Sequence, residues 1–153
     1  MTTAMSCPTL LTRIRDFRLS DPSADVSFES KLAAEGGWTL GHANVVTGEY
    51  RRFLYLTQSA GQPMCPSSDV DRAWHLHLTQ TRSYRMFCEN VLGRFLHHDA
   101  SKEGPADLAE HRAMYRATLE AYRSTFGEPP PKDIWPAVEV RFGNGKLKWT
   151  EPT

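Results

Sequence analysis

TLGHANVVTGEYRRFLYLTQ, residues 39–58, is the stretch that decides the fold. Val46, Tyr50, Phe53, Leu54 and Thr57 recur at intervals of three and four residues. At about 100° per residue that spacing gathers them on one side of an α-helix. Ala60-Gly61-Gln62-Pro63 then breaks the pattern. The spacing predicts a helix over 39–58 whose outer face carries Glu49, Arg51 and Arg52.

The same punctuation extends in both directions. Upstream, Asp21-Pro22 predicts a helix start and Gly36-Gly37 its end, with Phe28 and Leu32 on one face. Downstream, a third helix begins at Ser68, where Ser68-x-x-Asp71 resembles a capping box and Asp69 and Asp71 favour the positive helix N-terminus. Thr79-Gln80-Thr81 breaks it. Tyr84, Cys88 and Val91 or Leu92 then share a face of a fourth helix ended by Gly93. Leu108, His111, Met114 or Tyr115, Leu119 and Tyr122 mark a long amphipathic helix from Pro105 to Phe126, stopped by Gly127 and Pro129-Pro130-Pro131. Finally, Val138-Glu139-Val140-Arg141-Phe142 and Lys146-Leu147-Lys148-Trp149 alternate around Gly143-Asn144-Gly145, the pattern of a β-hairpin. The expected fold is mainly α: residues 1–153 form one helical bundle of about five helices, with its core at about 22–136 and a small C-terminal β-hairpin at 138–149. There is no internal repeat and no low-complexity segment beyond the three prolines.

Composition narrows the function classes. A chain of 153 residues, 40% of them hydrophobic, is long enough to bury a core. Lys+Arg 18 against Asp+Glu 18 gives zero net charge, so the overall basic field that nucleic acids or anionic membranes require is missing. The local run Thr12-Arg13-Ile14-Arg15-Asp16-Phe17-Arg18 reads as a solvated strand or helix face. Cys7, Cys65 and Cys88 are odd in number and lack CxxC spacing, which argues against a disulfide framework and for a reducing compartment, the cytoplasm. No segment approaches the roughly 20 apolar residues of a membrane span, so no membrane insertion is expected.

Ligand chemistry concentrates between Asp69 and Asp99. Asp69-Val70-Asp71-Arg72-Ala73-Trp74-His75-Leu76-His77 and Phe95-Leu96-His97-His98-Asp99 hold four of the six histidines. Imidazole and carboxylate build zinc, iron or manganese sites and also serve general acid–base chemistry. Asp71 and His75 stand four apart on one helix face, while His77 points roughly 160° from His75. A divalent metal site from Asp71, His75, His98 and Asp99 is therefore sterically open if the loop after the fourth helix folds back, with Asp69, His77 and His97 in supporting positions, and it makes a small metalloprotein, up to a metal-dependent enzyme, the leading expectation. Neighbouring residues of an extended loop face opposite ways, which favours His98 inward and His97 exposed.

Two other readings stand beside that one. Trp74 and His75 are core residues, Asp69 and Asp71 helix-end charges, and the His97-His98-Asp99 loop a cap, together forming a structural polar network in a non-catalytic interaction module. Alternatively Cys88 is a nucleophile served by His97 or His98, although a helical cysteine is more often a small buried residue. A protein or a small molecule is then the expected partner, with nucleic acid disfavoured by the charge balance. There is no Gly-rich phosphate loop, no G-x-S-x-G and no HExxH.

Glu49-Tyr50-Arg51-Arg52-Phe53-Leu54-Tyr55-Leu56, then Pro66-Ser67-Ser68 leading into the D-x-D-x-x-W-H-x-H block at Asp69–His77, then Tyr84, Cys88 and Leu92-Gly93-Arg94-x-x-x-His98-Asp99 resemble the glycine-rich domain-containing protein-like family. Thr118-Leu119, Tyr122, Phe126-Gly127-Glu128-Pro129-Pro130 and Ile134-Trp135-Pro136 look like its bacterial branch. The resemblance spans about Phe28 to Phe142. It implies that the His/Asp block matters, without a substrate. Plant members of that family carry a glycine-rich tail and an RNA-binding segment, and neither is present in this sequence.

Overall fold

The computed structural model describes residues 9–99 and 102–143. Among them are seven α-helices and no strand. They are α1 (Leu10–Asp16), α2 (Phe28–Gly36), α3 (Leu40–Ser59), α4 (Ser68–Thr79), α5 (Thr81–Phe87), α6 (Pro105–Phe126) and α7 (Val138–Phe142). A π-helical turn, Cys88–Leu92, extends α5.

The helix starts are built from hydroxyl caps. Thr9, Ser27, Thr39 and Ser67 each accept a hydrogen bond from the backbone N–H three residues on, satisfying a donor the helix itself leaves orphaned. The cap of α4 is thus Ser67, one residue before the expected Ser68, and Asp71 is released from capping. Likewise α2 begins at Phe28 behind Ser27. Asp21 instead holds a local turn, accepting from Ser23 N–H and Oγ–H. The stops follow glycine: Gly37, Gly93 and Gly127 take left-handed conformations at φ 68°, 80° and 70°.

Helix α3 is the central element, packed against α1, α2, α4 and α6. Its Ala43, Val46, Tyr50, Phe53, Leu54 and Leu56 are fully buried. Loss of a buried ring such as Phe53 to alanine costs about 3–5 kcal/mol. Because α3 is surrounded, its polar residues are clamps as well. The Glu49 carboxylate accepts from Tyr122 Oη–H at 2.8 Å and from Trp135 Nε1–H at 2.9 Å. Arg51 donates to the carbonyls of Ile14 and Phe17, closing the C-terminal end of α1. Arg52 donates to Tyr122 Oη and Glu128 and lies over Phe126.

The C-terminal β-hairpin is corrected. Its first strand, Val138–Phe142, is the one-turn helix α7, with Val140 and Arg141 N–H both directed to the Ala137 carbonyl. The alternation has a different cause: Val138 is buried under α6, Val140 is 74% exposed, and Arg141 lies over the rings of Phe142 and Tyr115. The second expected strand, 146–149, lies outside the described residues. The arginine-containing run at 12–18 is helix α1, and Arg13 from it donates to the carbonyls of Asn90 and Val91 at the end of the π turn. No helix of the described residues is long and apolar enough to cross a membrane.

Candidate functional site

The first turn of α4 sends its two aspartates in different directions. Asp69 meets His42 of α3, Oδ2 to Nε2 at 3.0 Å, and the His42 ring stands edge-on to Trp38. Asp71 meets the segment beyond α5: its Oδ1 lies 2.6 Å from His98 Nε2. The His98 ring rests on Trp74, one helical turn along α4, with centroids 4.2 Å apart. That hydrogen bond lifts the His98 pKa above its ordinary 6.5, against the opposing pull of partial burial.

Several bonds hold the segment carrying His98 in place. Trp74 Nε1–H donates to Tyr84 Oη at 3.0 Å, and the Tyr84 hydroxyl donates to the Leu96 carbonyl. Leu96 N–H points to Cys88 Sγ at 3.5 Å, and Arg94 Nε–H to Gln58 Oε1 at 3.0 Å. The two faces of residues 97–98 therefore differ. His98 is half-buried against Trp74, while His97 is exposed and meets the Phe95 ring edge to face.

Asp71, Trp74, His98 and Asp99 form one wall of a cleft of about 880 Å³. The loop at 61–66 forms another, and Met114 of α6 and Arg141 of α7 close it. That loop is fastened by Thr118, whose Oγ1 accepts from Cys65 N–H at 2.8 Å and donates to the Met114 carbonyl. The volume lies within the range of small-molecule pockets, roughly 300–1,000 Å³.

The remaining histidines are dispersed. His75 is exposed, on a depression of about 170 Å³ shared with Asp71, Arg72 and the end of α2. Among the described residues the Asp71 side chain is hydrogen-bonded to His98 and has no such bond to His75. His77 is fully buried on the opposite side of α4, its Nδ1 2.8 Å from Tyr50 Oη. Rings of Phe28, Tyr84 and Phe87 surround it, and its Nε2 has no hydrogen-bond partner among the described residues. Burial drives its pKa down to about 3, so it is neutral. His111 pairs with Asp107 one turn earlier on α6. No group of three His, Cys, Asp or Glu side chains among the described residues is placed to hold a metal ion.

Burial disfavours the thiolate form of both described cysteines. Cys65, at the cleft wall, has its thiol pushed up to about 11 by burial, and burial also raises Cys88. Arg94 and Arg141 line the cleft and were not among the expected site residues. Arg94 follows the helix-ending Gly93 and reads as loop, and Arg141 was hidden by the strand-like alternation around it. No spacing rule finds either, because each reaches the cleft through tertiary packing.

A family model described as UCP032817-like matches residues 14–120. No curated protein and no solved structure matches the chain. This corrects the resemblance drawn from the motifs: the matching family is uncharacterised, and nothing indicates the glycine-rich domain-containing protein-like family. The features that carried the resemblance have local causes here. Ser67 caps α4, Trp74 and His77 are buried core residues, and Asp69 and Asp71 occupy the first helical turn.

Proposed function

This chain belongs to the UCP032817-like family, which is uncharacterised and supplies no activity to carry over, and from the geometry we propose that the protein binds a small molecule in the cleft beside His98. The observation that carries this reading is the Asp71–His98 hydrogen bond of 2.6 Å at the wall of a cavity large enough for a ligand. A hydrogen-bonded His–Asp pair so close to an open cleft gives an ordered proton donor and acceptor, and Trp74 adds an aromatic face beside it. Recognition is what these groups supply; the high thiol pKa of Cys65 offers no nucleophile for group transfer.

The test is protein-observed NMR with a fragment library. Compounds that bind should move the His98 and Trp74 resonances together, and Asp71→Asn and His98→Ala should weaken them in a protein that stays folded. Binders that leave both residues unmoved would overturn the reading. Metal analysis of untagged protein runs alongside, because the same two side chains are a two-donor start for a divalent ion such as zinc, iron or manganese. One bound equivalent, lost in His98→Ala, would replace small-molecule binding by metal binding at this place.

A further inference from the structure

We propose that the ligand of this cleft is an organic anion, its carboxylate or phosphate head held by Arg141 and Arg94 and its apolar body laid along Trp74, Leu96 and Met114. The inference rests on the cleft being a ligand site and adds the chemical class.

Arg94 and Arg141 both line the cleft, and neither has a carboxylate partner among the described residues. Arg94 donates through Nε to a neutral acceptor, Gln58 Oε1. Arg141 reaches the Pro66 carbonyl from Nη2 at a long 3.4 Å, and its Nε is buried with no hydrogen-bond partner among the described residues. That Nε is closed to the cleft, so a ligand meets the outer nitrogens of Arg141, which have only the long Pro66 contact and keep donor capacity for an acceptor.

The orientation of Arg141 is also fixed. Its Cζ sits 4.7 Å from the Phe142 ring centroid and 5.8 Å from that of Tyr115, so the fork is held before a ligand arrives. A planar fork of donors matches carboxylate and phosphate oxygens two at a time, which a lysine does not. Two carboxylates share the cleft, but Asp71 is engaged by His98 and Asp99 is exposed. The two arginines therefore face less opposing charge than the raw count suggests. Around them Trp74, Leu96 and Met114 offer apolar and aromatic surface, so a bare inorganic ion would leave most of the cleft unfilled.

The experiment compares phenylbutyrate, phenyl phosphate and neutral phenylbutyramide by calorimetry, with NMR of His98 and Trp74 to place each compound. At least one anion should bind at least about tenfold more tightly than the amide, and Arg141→Gln should remove most of that advantage, weakening the anion by a larger factor than the amide. The preferred anion separates a carboxylate ligand from a phosphate one. Arg94→Gln, at an exposed residue, should weaken the anion severalfold and keeps the test decisive if Arg141→Gln lowers stability. An amide that binds in the cleft as tightly as both anions, or anions indifferent to both variants, overturns the anion class and leaves the cleft a ligand site. No movement of His98 or Trp74 by any compound at millimolar concentration overturns both.

Discussion

His98 and Asp71, 27 residues apart in sequence, meet at 2.6 Å and join the end of the α5 segment to the first turn of α4. The bond favours imidazolium, so its sign with pH is fixed. A base whose folded pKa is raised contributes stability that is fully present below its unfolded value near 6.5 and is lost as pH rises through the folded value. Both side chains are partly exposed, so solvent screening holds the contribution to about 0.5–1 kcal/mol. In Asp71→Asn, the His98 titration seen by NMR should move down, and this high-pH loss of stability should vanish. An unchanged His98 titration would mean that the pair does not form in solution.

His77 carries the opposite sign. Its pKa is lowered from 6.5 to about 3, so the unfolded chain takes up a proton that the folded one refuses, and stability falls as pH drops from about 6.5 towards 3. One such proton gives a slope approaching 1.4 kcal/mol per pH unit. Urea midpoints between neutral pH and pH about 4 should therefore fall less steeply in the Tyr50→Phe/His77→Phe double variant than in the natural protein. The double change removes both partners of the Tyr50–His77 bond, whereas His77→Phe alone strands the Tyr50 hydroxyl at a cost of about 1–3 kcal/mol.

Glu49 ties α3 to α6 and to the segment holding Trp135. Its one oxygen accepts from two buried donors, Tyr122 Oη–H and Trp135 Nε1–H. Glu49→Ala leaves both unsatisfied and should cost about 2–4 kcal/mol, with a change in tryptophan fluorescence. Glu49→Gln keeps a carbonyl acceptor and should cost roughly half as much. Equal losses in the two variants would show that charge, and not acceptance, is what the site uses.

Thr118 fixes the loop that forms the far wall of the cleft. Thr118→Val removes the acceptor of the Cys65 N–H with little change of shape and should lower stability by about 1–3 kcal/mol. Amide exchange at Cys65 should quicken more than at Tyr115 or Tyr122, since the loop loosens before the helix does. Uniform exchange across α6 would place the loss in the helix.

The helices were legible wherever a long apolar period ended in glycine or proline. Val46, Tyr50, Phe53 and Leu54 fixed α3 at residues 40–59 against an expected 39–58, and Gly127 closed α6. Five-residue segments carry no such period. Val138–Phe142 satisfies a two-residue alternation on paper, yet a single helical turn places Val138 inward and Val140 outward just as well. α1 was equally ambiguous, because Arg13 on its polar face is held by carbonyls more than seventy residues away.

Site chemistry was legible as a place and not as a set of partners. Helical geometry separates His75 from His77, and one is exposed while the other is caged. What Asp71 touches depends on how residues 94–99 return, and that path is set by Tyr84, Trp74 and Cys88 acting together. No spacing within one helix encodes it.

The central claim, that the cleft beside the Asp71–His98 pair takes a small molecule, is tested most directly by following the imidazole of His98 by ¹⁵N-edited NMR while titrating in the tightest cleft-binding compound. A saturable shift at His98, with the dissociation constant found by calorimetry and no matching shift at His42 or His77, is the expected result. Saturable binding that leaves His98 unmoved and shifts His42 or His75 instead would contradict it.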